Sequence, residues 1–309
     1  MDHKKGITFA VITALLWGVL AIAIKIALAE VAPITIVWVR MSIAALVLGA
    51  YYLVKRPSAF QVFLKPPKLM WLASMGLAMN YIGYAKGIDW AGPASAQVVI
   101  QLGPIILCLA GFFIFKEQFA KRQIWGFVLA FVGLFFFYRQ QLSSMDVGQD
   151  TFIKGVLATI VGASAWATYS VSQKKLVTKH PVQQINLFLY VFSTLVYLPF
   201  VDFSDFVGLS PWMWALLIFL GFNTLIAYGC IGEALKYTDA GKVSVVVILN
   251  PILTFIILEI MQAIGVSFLT IEQVPFWAYV GAVLMLGGAA LAVIAPKKKK
   301  EAAMGVTHS

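Results

Sequence analysis

Ten apolar runs, each close to the roughly 20 residues that cross a bilayer as a helix, follow one another along the chain. They lie near 6–28, 33–54, 68–88, 93–115, 121–138, 153–175, 182–200, 211–236, 241–265 and 275–295, divided by Gly, Pro and charge clusters. Backbone polar groups in lipid must be satisfied inside their own segment, and these runs are far longer than a membrane strand, so helices are required. The expectation is an all-α membrane protein with ten transmembrane helices.

Composition agrees. Of the 309 residues, 61% are hydrophobic and 12% charged, with a mean hydropathy of +0.90. A soluble domain carries about 25% charged residues. The net charge of +10 sits in short tracts between the apolar runs, which is a topology pattern and not a nucleic-acid groove. Cys108 and Cys230 each lie inside an apolar run and read as packing residues, with no disulfide framework or metal-ligand spacing. The start imitates a signal peptide, but its run is too long and Lys25 interrupts it, so it is read as a retained helix.

The second half repeats the first. Gly6, Trp17 and Lys25 match Gly155, Trp166 and Lys174 at identical spacing, and Val98 to Pro104 matches Val245 to Pro251. Glu117, Gly126 and Gly133 return as Glu272, Gly281 and Gly288. Three ordered matches imply a duplicated five-helix unit, 1–145 and 146–296, followed by a basic tail, 297–309.

Five is odd, so tandem copies are expected in opposite orientation, and the charges test this. With the amino terminus inside, eighteen Lys and Arg residues fall in cytoplasmic segments, while Arg139 and Lys154 alone fall in outer loops. The loops carrying Lys55 to Lys68 and Lys116 to Arg122 correspond to outer loops carrying Asp202, Asp205 and Glu272 without Lys or Arg. Both termini are therefore expected in the cytoplasm. An inverted repeat supplies two near-equivalent packings, one open to each side, which is what alternating access requires.

No catalytic set, cofactor motif or metal-ligand cluster is expected: His3, His180 and His308 all lie in loops or tails, and no phosphate-binding glycine loop occurs. ATP-driven pumping by this chain alone is therefore not expected.

The arrangement resembles the drug/metabolite transporter superfamily, in its EamA-like ten-helix branch. The residues that carry the resemblance are Ala14-Leu15-Leu16-Trp17-Gly18, Arg40, Pro104, Phe115-Lys116-Glu117, Gly126 and Gly133. The match is good in the first half and looser in the second, where Pro251 and Glu272 stand eight residues farther apart than Pro104 and Glu117. The resemblance implies a central cavity formed by helices one to four and six to nine, an inner-membrane location, and export of amino acids, other small metabolites or drugs.

The expected function is secondary transport of amino-acid-like or amphipathic metabolites. An uptake carrier or exchanger fits the same residues, and a lipid-headgroup translocase or a scaffold stands as the alternative class. The expected partners are a small-molecule substrate and the bilayer.

Intramembrane charges are expensive and default to functional candidates. Lys25 and Lys86 lie close enough to helix ends for the ammonium to snorkel. Arg40 is seven residues beyond Pro33, about 10 Å along a helix, and is a candidate either for the cavity or for a packing contact. Glu233 sits near a helix end beside Lys236, and Glu259 is the candidate proton site.

Polar and aromatic residues at helical spacing mark candidate cavity walls: Trp17, Asn80, Tyr81 and Tyr84, then Gln97 and Gln101. Trp166, Tyr169 and Gln173, joined by Asn223, Tyr228 and Asn250, form the second set. Each buried amide could instead bind a neighbouring helix. Pro104 and Pro251 are candidate hinges or static kinks. The small-residue face around Gly281, Gly287 and Gly288 is read as close helix packing, with a homodimer contact as its other use.

Overall fold

The computed structural model describes residues 2–138, 149–265 and 276–294, and no strand occurs among them. Arg139, Glu272, His308 and the Lys297–Lys300 run lie outside the described residues. Helix α1 (His3–Ala27) opens on Asp2, whose carboxylate accepts from the Lys5 N–H. Helices α2 (Pro33–Lys55) and α8 (Pro211–Tyr237) each set a proline in the first turn, where its missing N–H has no intrahelical partner to lose. The others are α3 (Lys68–Val99), α4 (Leu102–Phe113), α5 (Lys121–Tyr138), α6 (Gln149–Leu176), α7 (Val182–Tyr197), α9 (Ala240–Val247), α10 (Asn250–Ala263) and α11 (Phe276–Ile294).

Two of the sequence runs are broken. The run at 93–115 begins as the end of α3, stops at Ile100 and Gln101, and resumes as α4. The run at 241–265 is split into α9 and α10 at Ile248 and Leu249. Each break lies just before a proline, Pro104 or Pro251, which cannot donate to the carbonyl four residues earlier. At the first break the Gly103 N–H takes over that carbonyl, donating to Ile100 O at 3.0 Å. Gly92, with φ +82° and immediately before Pro93, separates the two helical stretches of α3.

Seven segments among the described residues are long and apolar enough to cross a membrane, including Ser95–Phe113 and Ala240–Met261, which bridge the two breaks. Tyr279–Ala292 is a shorter apolar helix. The run at 68–88 is diluted by Ser74, Asn80 and Lys86, and α5 opens on Lys121, Arg122 and Gln123, so neither is among the seven.

Glycines set the closest seams. On α5, Gly126 faces Gly288 and Ala292 of α11 while Gly133 faces Gly281 and Met285, so the two helices run antiparallel with backbones in contact. The small-residue face of α11 thus packs within the chain. Helices α3 and α6 are antiparallel too, with Gly76 against Ala165 and Gly83 against Ala158 and Gly162. Helix α1 pairs with α8 in the same sense, Gly6 beside Thr238 and Asn223 Nδ2 donating to Leu16 O. The pairing of α1 with α8 is what the pairing of α6 with α3 becomes when the halves are exchanged.

The distribution of polarity is inverted relative to a soluble protein. Leu46, Trp125, Phe135, Trp212 and Val283 are exposed, whereas Arg40, Asn80, Gln97, Gln101, Gln173, Asn186, Asn223 and Asn250 are buried. That arrangement suits a hydrocarbon surround with a polar interior.

Candidate functional site

The buried polar groups converge where the broken helices meet. A cavity of about 50 Å³ lies there, lined from both halves. Trp17 and Leu20 of α1, Arg40 of α2, and Asn80, Tyr81, Tyr84 and Gln97 of α3 supply one part of the wall. Ile100, Gln101 and Pro104 at the first break, Trp166 of α6, Tyr228 of α8, Val247 and Asn250 supply the rest.

Hydrogen bonds fix this wall across the halves. Tyr84 Oη donates to Gln97 Oε1 at 2.8 Å, Gln97 Nε2 donates to Thr254 Oγ1 at 2.9 Å, and Thr254 Oγ1 donates to Gly18 O at 2.6 Å. Gln101 Nε2 donates to Asn250 Oδ1 at 2.9 Å, joining the two breaks. Tyr228 Oη donates to Asn80 Oδ1 at 3.1 Å, and Asn80 Nδ2 donates to Gly162 O at 3.1 Å. The chain of amides is therefore part of the packing as well as of the wall.

Aromatic rings close the cavity on one side. The repeat-equivalent Trp17 and Trp166 meet edge to face with centroids 5.8 Å apart. Tyr228 lies 5.5 Å from Trp17 and 5.4 Å from Tyr81. Arg40, only 2% exposed, donates from Nε to Thr224 Oγ1 at 3.1 Å, and its guanidinium carbon sits 4.5 Å from the Tyr81 ring centroid. Three polar atoms of the wall, Tyr81 Oη, Gln101 Oε1 and Trp166 Nε1, are buried without a hydrogen-bond partner.

Several sequence candidates stand apart from the cavity. Tyr169 is fully buried behind Tyr228, with ring centroids 5.5 Å apart. Gln173 donates to Asn186 Oδ1 at 3.2 Å, and Asn223 binds the α1 backbone. Lys25 is half-buried in the last turn of α1, Glu259 is half-buried in α10, and Pro251 is buried without lining the wall. Conversely, the sequence reading passed over Thr224 and Thr254. Thr254 follows Asn250 by one helical turn, so that spacing was its available signal.

A second polar cluster ties the halves together at one end. Beyond α4, Lys116 takes a left-handed φ of +52° and turns Glu117 toward the second half. The Glu117 carboxylate accepts from the Ala240 N–H at 2.8 Å and the Gly241 N–H at 3.2 Å, at the amino terminus of α9. It also pairs with Lys174 Nζ at 3.1 Å, both side chains being about nine-tenths buried. Lys174 Nζ in turn donates to Thr238 O at 3.0 Å. Another cavity, of about 190 Å³, is lined by Tyr52, Arg56, Gln61 and Gln184, among others.

Among the described residues no group of His, Cys, Asp or Glu is arranged to hold a metal ion. Comparison with known proteins places this geometry. The chain matches the EamA-like transporter family twice, over residues 4–139 and 153–294. It is 32% identical over 292 residues to the uncharacterized inner membrane transporter YhbE of Escherichia coli K12, covering 94% of this chain and 91% of the relative. It is 33% identical over 294 residues to an uncharacterized transporter of Haemophilus influenzae, covering 94% and 95%. A probable amino-acid metabolite efflux pump of Escherichia coli K12 is 24% identical over 322 residues, covering 99% of this chain and 100% of the relative. A solved crystal structure with 20% identity superposes with a TM-score of 0.72 over 94% of this chain and 96% of its own, a likeness of fold. The two matched segments each take in one part of the cavity wall, and the chain is a multi-pass inner-membrane transporter that belongs to the EamA-like transporter family.

Proposed function

We propose that the protein is a secondary transporter that exports small amphipathic, amino-acid-like metabolites by alternating access around the central cavity. The observation that carries this reading is a buried polar and aromatic cavity built from both halves at two helix breaks. Broken helices at membrane depth are tolerated where they line a cavity, and they give the halves a place to bend.

The ten apolar runs are taken as ten spans in two five-helix repeats of opposite orientation, with both termini in the cytoplasm, as the eighteen-to-two distribution of basic residues supports. The exchange-symmetric pairing of α1 with α8 and α3 with α6 supports the same arrangement. In that orientation the Glu117–Lys174 cluster lies on the cytoplasmic side and holds it closed. A cavity of about 50 Å³ has room for one or two waters, at about 30 Å³ each, so a substrate binds after it widens. Aromatic faces beside amide groups and Arg40 suit a ligand with an apolar body and one polar end. The direction of transport follows the name of the relative in Escherichia coli, a probable amino-acid metabolite efflux pump.

The test is counterflow of labelled amino acids and related metabolites in proteoliposomes, with and without a pH gradient. Saturable exchange that unlabelled substrate accelerates is expected. No flux of any solute from demonstrably folded protein, together with accelerated scrambling of labelled lipid, replaces the carrier by a lipid translocase.

A further inference from the structure

Arg40 is a full positive charge with no Asp or Glu paired to it among the described residues. Its contacts, Thr224 Oγ1 and the Tyr81 ring, are neutral. The three ion pairs among the described residues involve Lys174, Lys236 and Lys242, never Arg40. No Asp or Glu lines the cavity. A guanidinium cannot shed its charge, because it stays protonated at any physiological pH. Burying it against neutral groups alone is costly.

A packing role does not account for the placement. Packing would be met by an uncharged side chain reaching the same threonine, and a structural charge at this depth is ordinarily paired within the protein. Here Arg40 instead borders the space a ligand would fill, and the same wall carries a donor without a partner, the Trp166 indole N–H. Gln101 Oε1 and the Tyr81 hydroxyl, which can accept or donate, lie unpartnered in that wall too.

We propose that Arg40 is an anion subsite and that the transported species carries a single carboxylate that binds there, with its apolar body against Trp17, Trp166 and Tyr228. The proposal deepens the carrier reading and rests on this cavity being the transport site. The count of charge selects the valency. One cation neutralises a carboxylate, whereas a phosphate monoester of charge near −2 would leave an excess negative charge in a site that supplies no second cation. The unpartnered Gln101 Oε1 and Tyr81 hydroxyl match a ligand that also carries a donor, such as an amine or hydroxyl near the carboxylate. A free amine lacking the carboxylate is rejected, because it would set like charges together.

The experiment is a binding panel on purified, detergent-solubilised protein, read by thermal shift and calorimetry. It compares aromatic and branched-chain amino acids with their primary amides, which keep the shape and lose the negative charge, and adds inorganic phosphate and a short-chain phosphatidylglycerol. Carboxylates are expected to bind about 10- to 100-fold more tightly than the amides, the discrimination that a charged hydrogen bond supplies. Arg40→Gln abolishes that preference, and Arg40→Lys, which retains the charge, preserves it at reduced affinity.

Equal binding of amides and carboxylates, an undiminished preference in Arg40→Gln, or no binding by any member of the panel overturns the proposal. Tighter binding of phosphate or of the lipid than of every carboxylate overturns the assignment to a carboxylate. Should Arg40→Gln not fold, the comparison of acid with amide on the unaltered protein decides. Counterflow separates the two readings: flux of the amides equal to that of the acids defeats the anion subsite and leaves the carrier, while carboxylate binding without flux defeats the carrier and leaves the subsite.

Discussion

Replacing Glu117 by Gln should loosen the closure proposed for the Glu117–Lys174 pair without disturbing the central cavity. At 3.1 Å the pair with Lys174 has a gross attraction of about 5 kcal/mol at an effective dielectric of about 20. Desolvation offsets much of this, but removing one member of a buried pair costs about 3–5 kcal/mol, because the remaining charge is stranded. The glutamine also turns an amide NH₂ toward one of the two backbone donors, Ala240 N–H or Gly241 N–H, that the carboxylate now satisfies. In an open state these groups reach water, so the loss falls on the closed state. At about 1.4 kcal/mol per factor of ten, a loss near 3 kcal/mol shifts the closed-to-open equilibrium about 100-fold.

Cys108 reports that shift. It is 6% exposed and packs with Val245 of α9 and Ala289 of α11 along the seam that Glu117 closes. In a Cys230→Ala background, Glu117→Gln should accelerate modification of Cys108 by a membrane-impermeant thiosulfonate about 100-fold. Lys174→Met should act in the same direction. The charge-reversed pair, Glu117→Lys with Lys174→Glu, should fail to restore protection, since it aims an ammonium at the positive end of α9. A labelling rate within about twofold of the parent in folded Glu117→Gln, or full rescue by the reversed pair, refutes the reasoning.

Other expectations follow from the same packing. Gly288→Val should lower thermal stability by about 1–3 kcal/mol, because a Cβ there would collide with the Ala130 backbone nitrogen and the α5–α11 seam is backbone against backbone. Gln97→Leu should cost about 1–3 kcal/mol by stranding Tyr84 Oη, while Thr254 keeps its bond to Gly18 O, and denaturation of the purified protein measures it. Glu259→Gln should leave ligand affinity unchanged, since Glu259 is half-buried in α10 away from the cavity; a calorimetric change above tenfold would place it in the binding site.

Much of the fold is legible in the sequence because lipid enforces it residue by residue. Apolar length reports the helices, and the prolines report where two of them break, although a run such as 93–115 does not reveal that its first turns continue α3 across Gly92. The cavity was partly legible. Asn80, Gln97, Gln101 and Asn250 are conspicuous because an amide in hydrocarbon needs a partner, and all four reach the wall. Gln173 and Asn223 are equally conspicuous and satisfy Asn186 and Leu16 O instead. Helix rotation decides between those outcomes, and no local pattern encodes it.

The closure was visible in its parts and hidden in its assembly. Glu117 and Lys174 each entered the sequence reading, one as part of a turn motif and one as a repeat landmark and a cytoplasmic charge. They belong to different halves and are separated by two long helices, so spacing could not pair them. Their partner group could not be read from side chains at all, since it is the amino terminus of α9, which exists because Tyr237 ends α8 and the chain turns through Thr238 and Asp239. A charge tract counted only for its sign therefore carried positional information. The same Lys174 that counts among the basic residues expected in the cytoplasm is the residue whose ammonium binds Glu117 and Thr238 O together. In the proposed orientation topology and gating draw on one residue, and a substitution there should disturb the conformational equilibrium well before it disturbs insertion.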